Sequence, residues 1–223
     1  VNSFSYNPKE QLTTHTNPRG DRTEYTYDQY GRVTKKKDYV GDVAKKAATL
    51  LLFRSLSEEH YTTTYVYDDE HNLTSTTDPS GHNETFTYNE YGNLVSHTDA
   101  AGRTTTYEYN DLNKLTTVTD SAGSTTTMDY DDRGNMTAVR DSEGNKYEYT
   151  YDEAGNLIKE TDPLGRANEY GYDDNGHLVK HIDAIGGQHD LIYDEMGNLL
   201  QYTDPAGHGT SYEYDDLNRV TRT

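Results

Sequence analysis

Apolar residues are sparse along this 223-residue chain, and they fall in a strict order. Short stretches alternate polar with aromatic or β-branched residues, as in Thr104-Thr-Thr-Tyr-Glu-Tyr109, where period two puts Tyr107 and Tyr109 on one face of a strand. A tyrosine followed by Asp or Asn closes each such stretch, at Tyr6, Tyr27, Tyr67, Tyr88, Tyr109, Tyr130, Tyr151, Tyr172, Tyr193 and Tyr214. Every interval is 21 residues except Tyr27 to Tyr67, which is 40. Two residues before each anchor stands an aromatic or large apolar residue (Phe4, Tyr25, Tyr65, Phe86, Tyr107, Met128, Tyr149, Tyr170, Leu191, Tyr212). Six residues after it stands Leu, Val or Met, from Leu12 to Val220.

The polar columns punctuate these strands. Four-residue D/N-x-x-G turns such as Asp152-Glu-Ala-Gly155 follow the anchors, with the late Gly suited to a left-handed backbone. Glu10, His71, Asn113 and Asn218 take that Gly's place in four repeats; Asn tolerates the conformation, His less easily. A second strand follows, for example Asn156–Thr161, then a D-P-x-G type turn that ends on Gly20, Gly41, Gly81, Gly102, Gly123, Gly144, Gly165, Gly186 or Gly207. Two strands of about six residues and two four-residue turns leave one residue of each 21 unassigned. The pattern predicts an all-β fold: antiparallel two-strand units joined into one coiled ribbon of about twenty short strands, a shell or open curved wall. The Tyr and Leu columns would line one face, with equivalent residues of successive repeats about 9.6 Å apart.

One segment breaks the period. An insertion at 42–60 follows what reads as an intact turn, Asp38-Tyr-Val-Gly41, inside an otherwise single array over 1–223. Asp42 is a candidate N-cap for a helix over 43–56. Leu50, Leu51, Leu52 and Phe53 are its candidate partner contact, in a locally basic neighbourhood with seven Lys and Arg between Arg32 and Arg54.

Composition taken as a bulk average points the other way. Leu, Ile, Val and Phe make up 33 residues, mean hydropathy is −1.07 and the net charge is −19, values typical of chains that do not fold. The 22 tyrosines contradict that class, and sixteen of them sit in just two columns. The acidic balance argues against nucleic acid as a partner. No apolar run approaches a membrane span. Zero cysteines exclude disulfides and thiolate metal sites.

The consensus Y-D-x-x-G-N-L-x-x-x-T-D-P-x-G-x-x-T-x-Y-x-Y-D resembles the Rhs or YD-repeat family. Tyr151-Asp-Glu-Ala-Gly-Asn-Leu157 leading to Thr161-Asp-Pro-Leu-Gly165 is a clean copy, and the match covers nearly the whole chain. The family includes bacterial polymorphic toxins, the B and C components of insecticidal toxin complexes, wall-associated proteins and the animal teneurins. The resemblance implies a secreted or cell-surface protein, bacterial in origin, whose repeats spiral into a hollow shell around a toxin-like polypeptide of the same protein. It also implies a second reading, an adhesion module for glycans or a cell surface. No match to the family's self-cleaving C-terminal junction is present, and the chain reads as a segment of a longer protein. Exposed terminal strands invite edge pairing and self-association.

Candidate chemistry is weak beside this architecture, and the expectation is a non-enzymatic chain without cofactor. The carboxylate pairs Asp68-Asp69, Asp131-Asp132, Asp173-Asp174 and Asp215-Asp216 each begin with the turn Asp, which explains them without glycosidase chemistry. Neither an EF-hand loop nor a calcium-binding nonapeptide is present. His15, His97 and His181 share a column three and four repeats apart and, with His177, read as surface residues rather than metal ligands. The residues that matter are therefore architectural: the anchor tyrosines and the turn glycines.

Overall fold

A computed structural model describes residues 1–39 and 60–223. The described residues form strands and turns only. They fall into two compact units, Val1–Tyr107 and Glu108–Thr223, a division that lies inside one strand.

The first unit carries β1 (Ser3–Tyr6), β2 (Leu12–Thr16), β3 (Arg22–Tyr27), β4 (Val33–Tyr39), β5 (His60–Tyr67), β6 (Leu73–Thr77), β7 (Asn83–Tyr88), β8 (Leu94–Thr98) and the start of β9 (Thr104–Tyr109). The second carries β10 (Leu115–Thr119), β11 (Thr125–Tyr130), β12 (Met136–Arg140), β13 (Lys146–Tyr151), β14 (Leu157–Thr161), β15 (Ala167–Tyr172), β16 (Leu178–Ile182), β17 (Gln188–Tyr193), β18 (Leu199–Thr203) and β19 (Gly209–Ser211), then a short hairpin of β20 (Glu213–Tyr214) and β21 (Val220–Arg222). Within each unit the strands pair antiparallel in chain order, so each is an antiparallel meander of the repeat type. No second layer covers the sheet: among the described residues only Ala138 is buried, at 4% exposure, and the Tyr and Leu columns are mostly half-buried.

The leftover residue of the 21-residue repeat has a definite place. In the β11–β12 hairpin Tyr130 pairs with Met136 and Asp129 with Ala138, so Thr137 is the extra residue of a β-bulge. The same register shift falls at the anchor tyrosine in β1–β2, β3–β4, β5–β6, β7–β8, β13–β14, β15–β16, β17–β18 and β20–β21. The alternate hairpins, such as β12–β13, keep a constant register. The second strand is accordingly shorter than expected. β14 begins at Leu157, and Asn156 belongs to the turn, because its amide and side chain bond back to Asp152.

This register also corrects the spacing of repeats. Thr127 faces Arg140 and Arg140 faces Lys146, whereas the equivalent of Thr127 is Glu148, two positions further along. Each repeat is therefore displaced by two residues along its strands. Equivalent side chains lie about 12 Å apart, not 9.6 Å.

The insertion leaves this frame intact. Glu24 pairs with Lys37 and Lys37 with Thr62, while the repeat equivalent of Glu24 is Thr64, again two positions on. Asp38 and Tyr39 do not form the expected turn. They continue β4 and pair with Tyr61 and His60, so His60 belongs to β5 and not to the insertion. Asp38 thus has Tyr61 of β5 as its strand partner, and its carboxylate accepts a 2.7 Å hydrogen bond from Thr23 Oγ1. The expected helix over 43–56, Leu50–Phe53 and Gly41 lie outside the described residues.

Candidate functional site: the turn edge and its tyrosines

The turns are built by their first residue. The Asp152 amide donates to the Asn156 carbonyl at 3.0 Å, and the Gly155 amide donates to the Asp152 carbonyl at 3.2 Å. Asp152 Oδ1 accepts the Asn156 amide at 2.8 Å, and Oδ2 accepts Asn156 Nδ2 at 3.0 Å. These bonds, the side-chain amide of Asn156 foremost, hold the Asp152 carboxyl below the usual carboxylate range. The D-P-x-G turn at Asp162 has the same frame, with Arg166 in place of Asn156: Oδ1 accepts the Leu164 and Arg166 amides at 2.9 Å, and Oδ2 accepts Arg166 Nε at 2.6 Å. The residue after the turn glycine is thus a working part of the turn. Its recurrence as Asn, Arg or His was the sequence signal for it.

The turn glycines adopt the left-handed conformation that this closure needs. Gly81, Gly102, Gly123, Gly144, Gly165, Gly186 and Gly207 have φ between 79° and 88°. Glu10, His71, Asn113 and Asn218 adopt it too, at φ 61°, 75°, 55° and 58°. His71 is braced there. Arg32 Nη1 lies 2.8 Å from its Nδ1, and the Tyr30 ring lies 4.7 Å away.

The anchor tyrosines act through their hydroxyls as well as their rings. Tyr27, Tyr67, Tyr88, Tyr130, Tyr151, Tyr172 and Tyr214 donate to the carbonyls of Leu12, Val33, Leu73, Leu115, Met136, Leu157 and Leu199, at 2.7 to 3.0 Å. The acceptor is always the first residue of the preceding Leu-column strand. The β10–β11 ladder runs from Thr117 opposite Thr127 to Thr119 opposite Thr125 and stops short of Leu115, so the phenol supplies a partner where the ladder does not. Burial pushes the Tyr151 and Tyr172 hydroxyls above their ordinary pKa. Tyr6 is exposed, Tyr109 is half-buried, and Tyr193 stacks on His177 with ring centroids 5.0 Å apart.

The histidines are not the surface residues expected. His15, His97 and His181 lie directly across the strand from Phe4, Phe86 and Tyr170, and their rings stack at 4.8, 4.8 and 5.0 Å within 11° of parallel. From Tyr170 the stack continues through His181 and His189 to Tyr202, four rings across four strands. The repeat puts each histidine opposite the aromatic column, a pairing visible only once the register is known. Burial and the hydrogen bond to Glu160 push the Tyr170 hydroxyl up to about 12. Among the described residues no group of three or more His, Asp or Glu side chains is placed to hold a metal ion.

Between successive YD turns run grooves faced by an anchor tyrosine and lined by turn acids. Cations of the same chain enter several of them. Lys9 Nζ donates to the Gln29 carbonyl at 3.3 Å, and Arg32 lies 4.6 Å over the Tyr67 ring while donating to the Asp68 carbonyl at 3.2 Å. Arg133 Nη1 donates to the carbonyls of Glu153 at 2.6 Å and Asp152 at 3.4 Å.

The recurring unit of bulged hairpin, Asp turn and tyrosine clasp matches the family model described as RHS Repeat over residues 6–41, 55–83, 88–125, 109–146, 130–167, 172–208 and 193–223. The chain belongs to the RHS-repeat family. Solved structures of similar fold include a TcdB2–TccC3–Cdc42 crystal structure, 16% identical over 99% of this chain and 14% of that one, with a TM-score of 0.67. A Tc holotoxin pore from Photorhabdus luminescens is 15% identical over 100% of this chain and 13% of that one, also at 0.67. TcdB2–TccC3 without its hypervariable C-terminal region is 17% identical over 96% and 13%, at 0.65. This RHS-repeat chain thus spans about one seventh of the length of the structures it matches. No curated protein matches it significantly.

Proposed function

We propose that this RHS-repeat chain is a non-enzymatic segment of the wall of a larger secreted bacterial protein, whose repeats scaffold or enclose a toxin-like polypeptide. The observation that carries this reading is the constant two-residue displacement per repeat, kept even across the insertion. A stagger of constant sign tilts strands against one another, as closure or coiling of a sheet requires. The likeness to toxin-complex structures over nearly all of this chain supports the same reading. Polar and aromatic columns on a single layer suit a wall that separates two aqueous spaces.

The test is protection. In the complete polypeptide, a protease should cut an enclosed C-terminal segment slowly while the array is intact, and rapidly once turns in this region are disrupted by Gly155→Pro and Gly165→Pro. Equal cleavage rates in both would count against enclosure. Adhesion to glycans is the second reading, favoured by the exposed Tyr30 and Tyr91 on the YD turns. Glycan-array binding that is lost in Tyr91→Ala, with the melting temperature unchanged, would favour it over enclosure.

A further inference from the structure

Arg133 shows what one of the inter-turn grooves accepts. It stands two residues after the turn residue Asp131, and its guanidinium reaches across to the main-chain carbonyls of Asp152 and Glu153 in the next turn, beside Tyr151. That groove has a volume of about 310 Å³. One repeat further on, the position equivalent to Arg133 is Ala154, and the groove there is open, with a volume of about 700 Å³. It is lined by Tyr172, Asp152, Glu153, Asp173 and Asp174, with no Lys or Arg among its lining residues. The carboxylates of Asp152 and Asp173 are occupied in their own turns, accepting bonds from Asn156, Asn175 and His177. Those of Glu153 and Asp174 make no hydrogen bond or ion pair among the described residues.

We propose that the groove between the Asp152 and Asp173 turns is a binding site for an arginine side chain presented by a polypeptide partner. The guanidinium would take the place that Arg133 fills one repeat earlier, donating to the carbonyls of Asp173 and Asp174. Glu153 and Asp174 supply the countercharge, and Tyr172 supplies the aromatic wall, as Tyr67 does beneath Arg32. A planar, weakly hydrated fork with several donors fits two adjacent carbonyls better than an ammonium does, so arginine is favoured over lysine. The repeat itself is the control, since the same backbone frame already holds the guanidinium of Arg133 one repeat earlier.

The test uses the full chain and the probes acetyl-Gly-Arg-Gly-amide and acetyl-Gly-Lys-Gly-amide, followed by backbone amide NMR shifts. Saturable shifts should be confined to residues 152–156 and 172–176, with the lysine probe binding more weakly. Ala154→Arg should fill the groove from within and weaken arginine-probe binding about tenfold. Arg133→Ala should open a second site around 131–133 and 151–153. The double variant Glu153→Gln with Asp174→Asn keeps the side-chain shapes and should weaken binding even if Ala154→Arg does not fold. Shifts spread evenly over all acidic turns would overturn the proposal, as would undiminished binding in the double variant or in a folded Ala154→Arg.

Discussion

The Tyr151 hydroxyl donates a 2.9 Å hydrogen bond to the main-chain carbonyl of Met136, fifteen residues upstream and one strand away. Met136 opens β12 beside the bulge, beyond the end of the β12–β13 ladder, which runs from Ala138 opposite Glu148 to Arg140 opposite Lys146. The phenol closes the gap that the bulge and stagger leave between two hairpins. This accounts for tyrosine rather than phenylalanine at the seven anchors that make this bond, because Phe could fill the ring position but not satisfy the carbonyl.

Tyr151→Phe should therefore destabilise by about 1 kcal/mol, a melting shift of roughly 2 to 4 °C for a chain of this size. Tyr193→Phe is the matched control, since Tyr193 meets His177 through its ring face and the substitution keeps that ring. Thermal melts followed by circular dichroism should separate the two. Equal losses would mean that the ring alone matters.

The left-handed turn position gives a pair of opposite effects. Gly155 has φ 90° and open space around it, so Gly155→Ala should cost about 1 kcal/mol through the backbone alone. Glu10 occupies the same position at φ 61°, and Glu10→Gly should stabilise by about 0.5 kcal/mol once the larger chain entropy of Gly is set against the relief. Denaturant midpoints would check both signs.

Stability should fall at both ends of the pH scale, for opposite reasons. Hydrogen bonds to the turn carboxylates, led by the side chains of Arg103 at Asp99, Asn135 at Asp131 and Asn156 at Asp152, lower their pKa from 3.8. Their contribution is full above pH 3.8 and is lost as pH falls through the lowered folded values. Burial raises the tyrosine pKa at Tyr67, Tyr88, Tyr151 and Tyr172, and at Tyr170 to about 12. Those contributions are full below pH 10 and are lost as pH rises through the folded values. Unfolding midpoints across the pH range, with tyrosinate absorbance at the alkaline end, should give a broad plateau between these limits.

Removing the insertion should leave the sheet in register. Tyr39 faces His60 at the end of a hairpin whose pairing already matches the other repeats. Replacing residues 40–59 with Asn-Gly joins that pair through a two-residue turn. The β-sheet circular dichroism and the melting temperature should be retained. Loss of either would show that the inserted residues hold the array together.

Much of this was legible in the chain because a 21-residue period states the same turn and strand chemistry ten times. The four left-handed positions without Gly could be named in advance, since Glu10, His71, Asn113 and Asn218 stand in the Gly column. Asp38 misled, because its D-x-x-G spacing copies a turn. Local spacing does not reveal that His60 and Tyr61 are available to extend the strand. The histidines were hidden for the same reason. His181 meets Tyr170 and His189 through cross-strand register, at sequence distances that alternation within one strand does not encode.

The amino-acid order by itself determined the unit: two short antiparallel strands, two Asp-led turns, a left-handed residue closing each, and a tyrosine at every boundary. These follow from local stereochemistry, in which turn residues and period-two alternation act over a few positions. Tertiary structure decided where the odd residue goes, and with it the two-residue stagger, the phenol clasp between Tyr151 and Met136, and the ring stack from Tyr170 to Tyr202. Because both turns close with the same frame, a 21-residue repeat without a bulge would put equivalent residues on opposite faces of the sheet, so one strand must bulge. Only the paired strands, satisfying their hydrogen bonds together, select the position of that bulge.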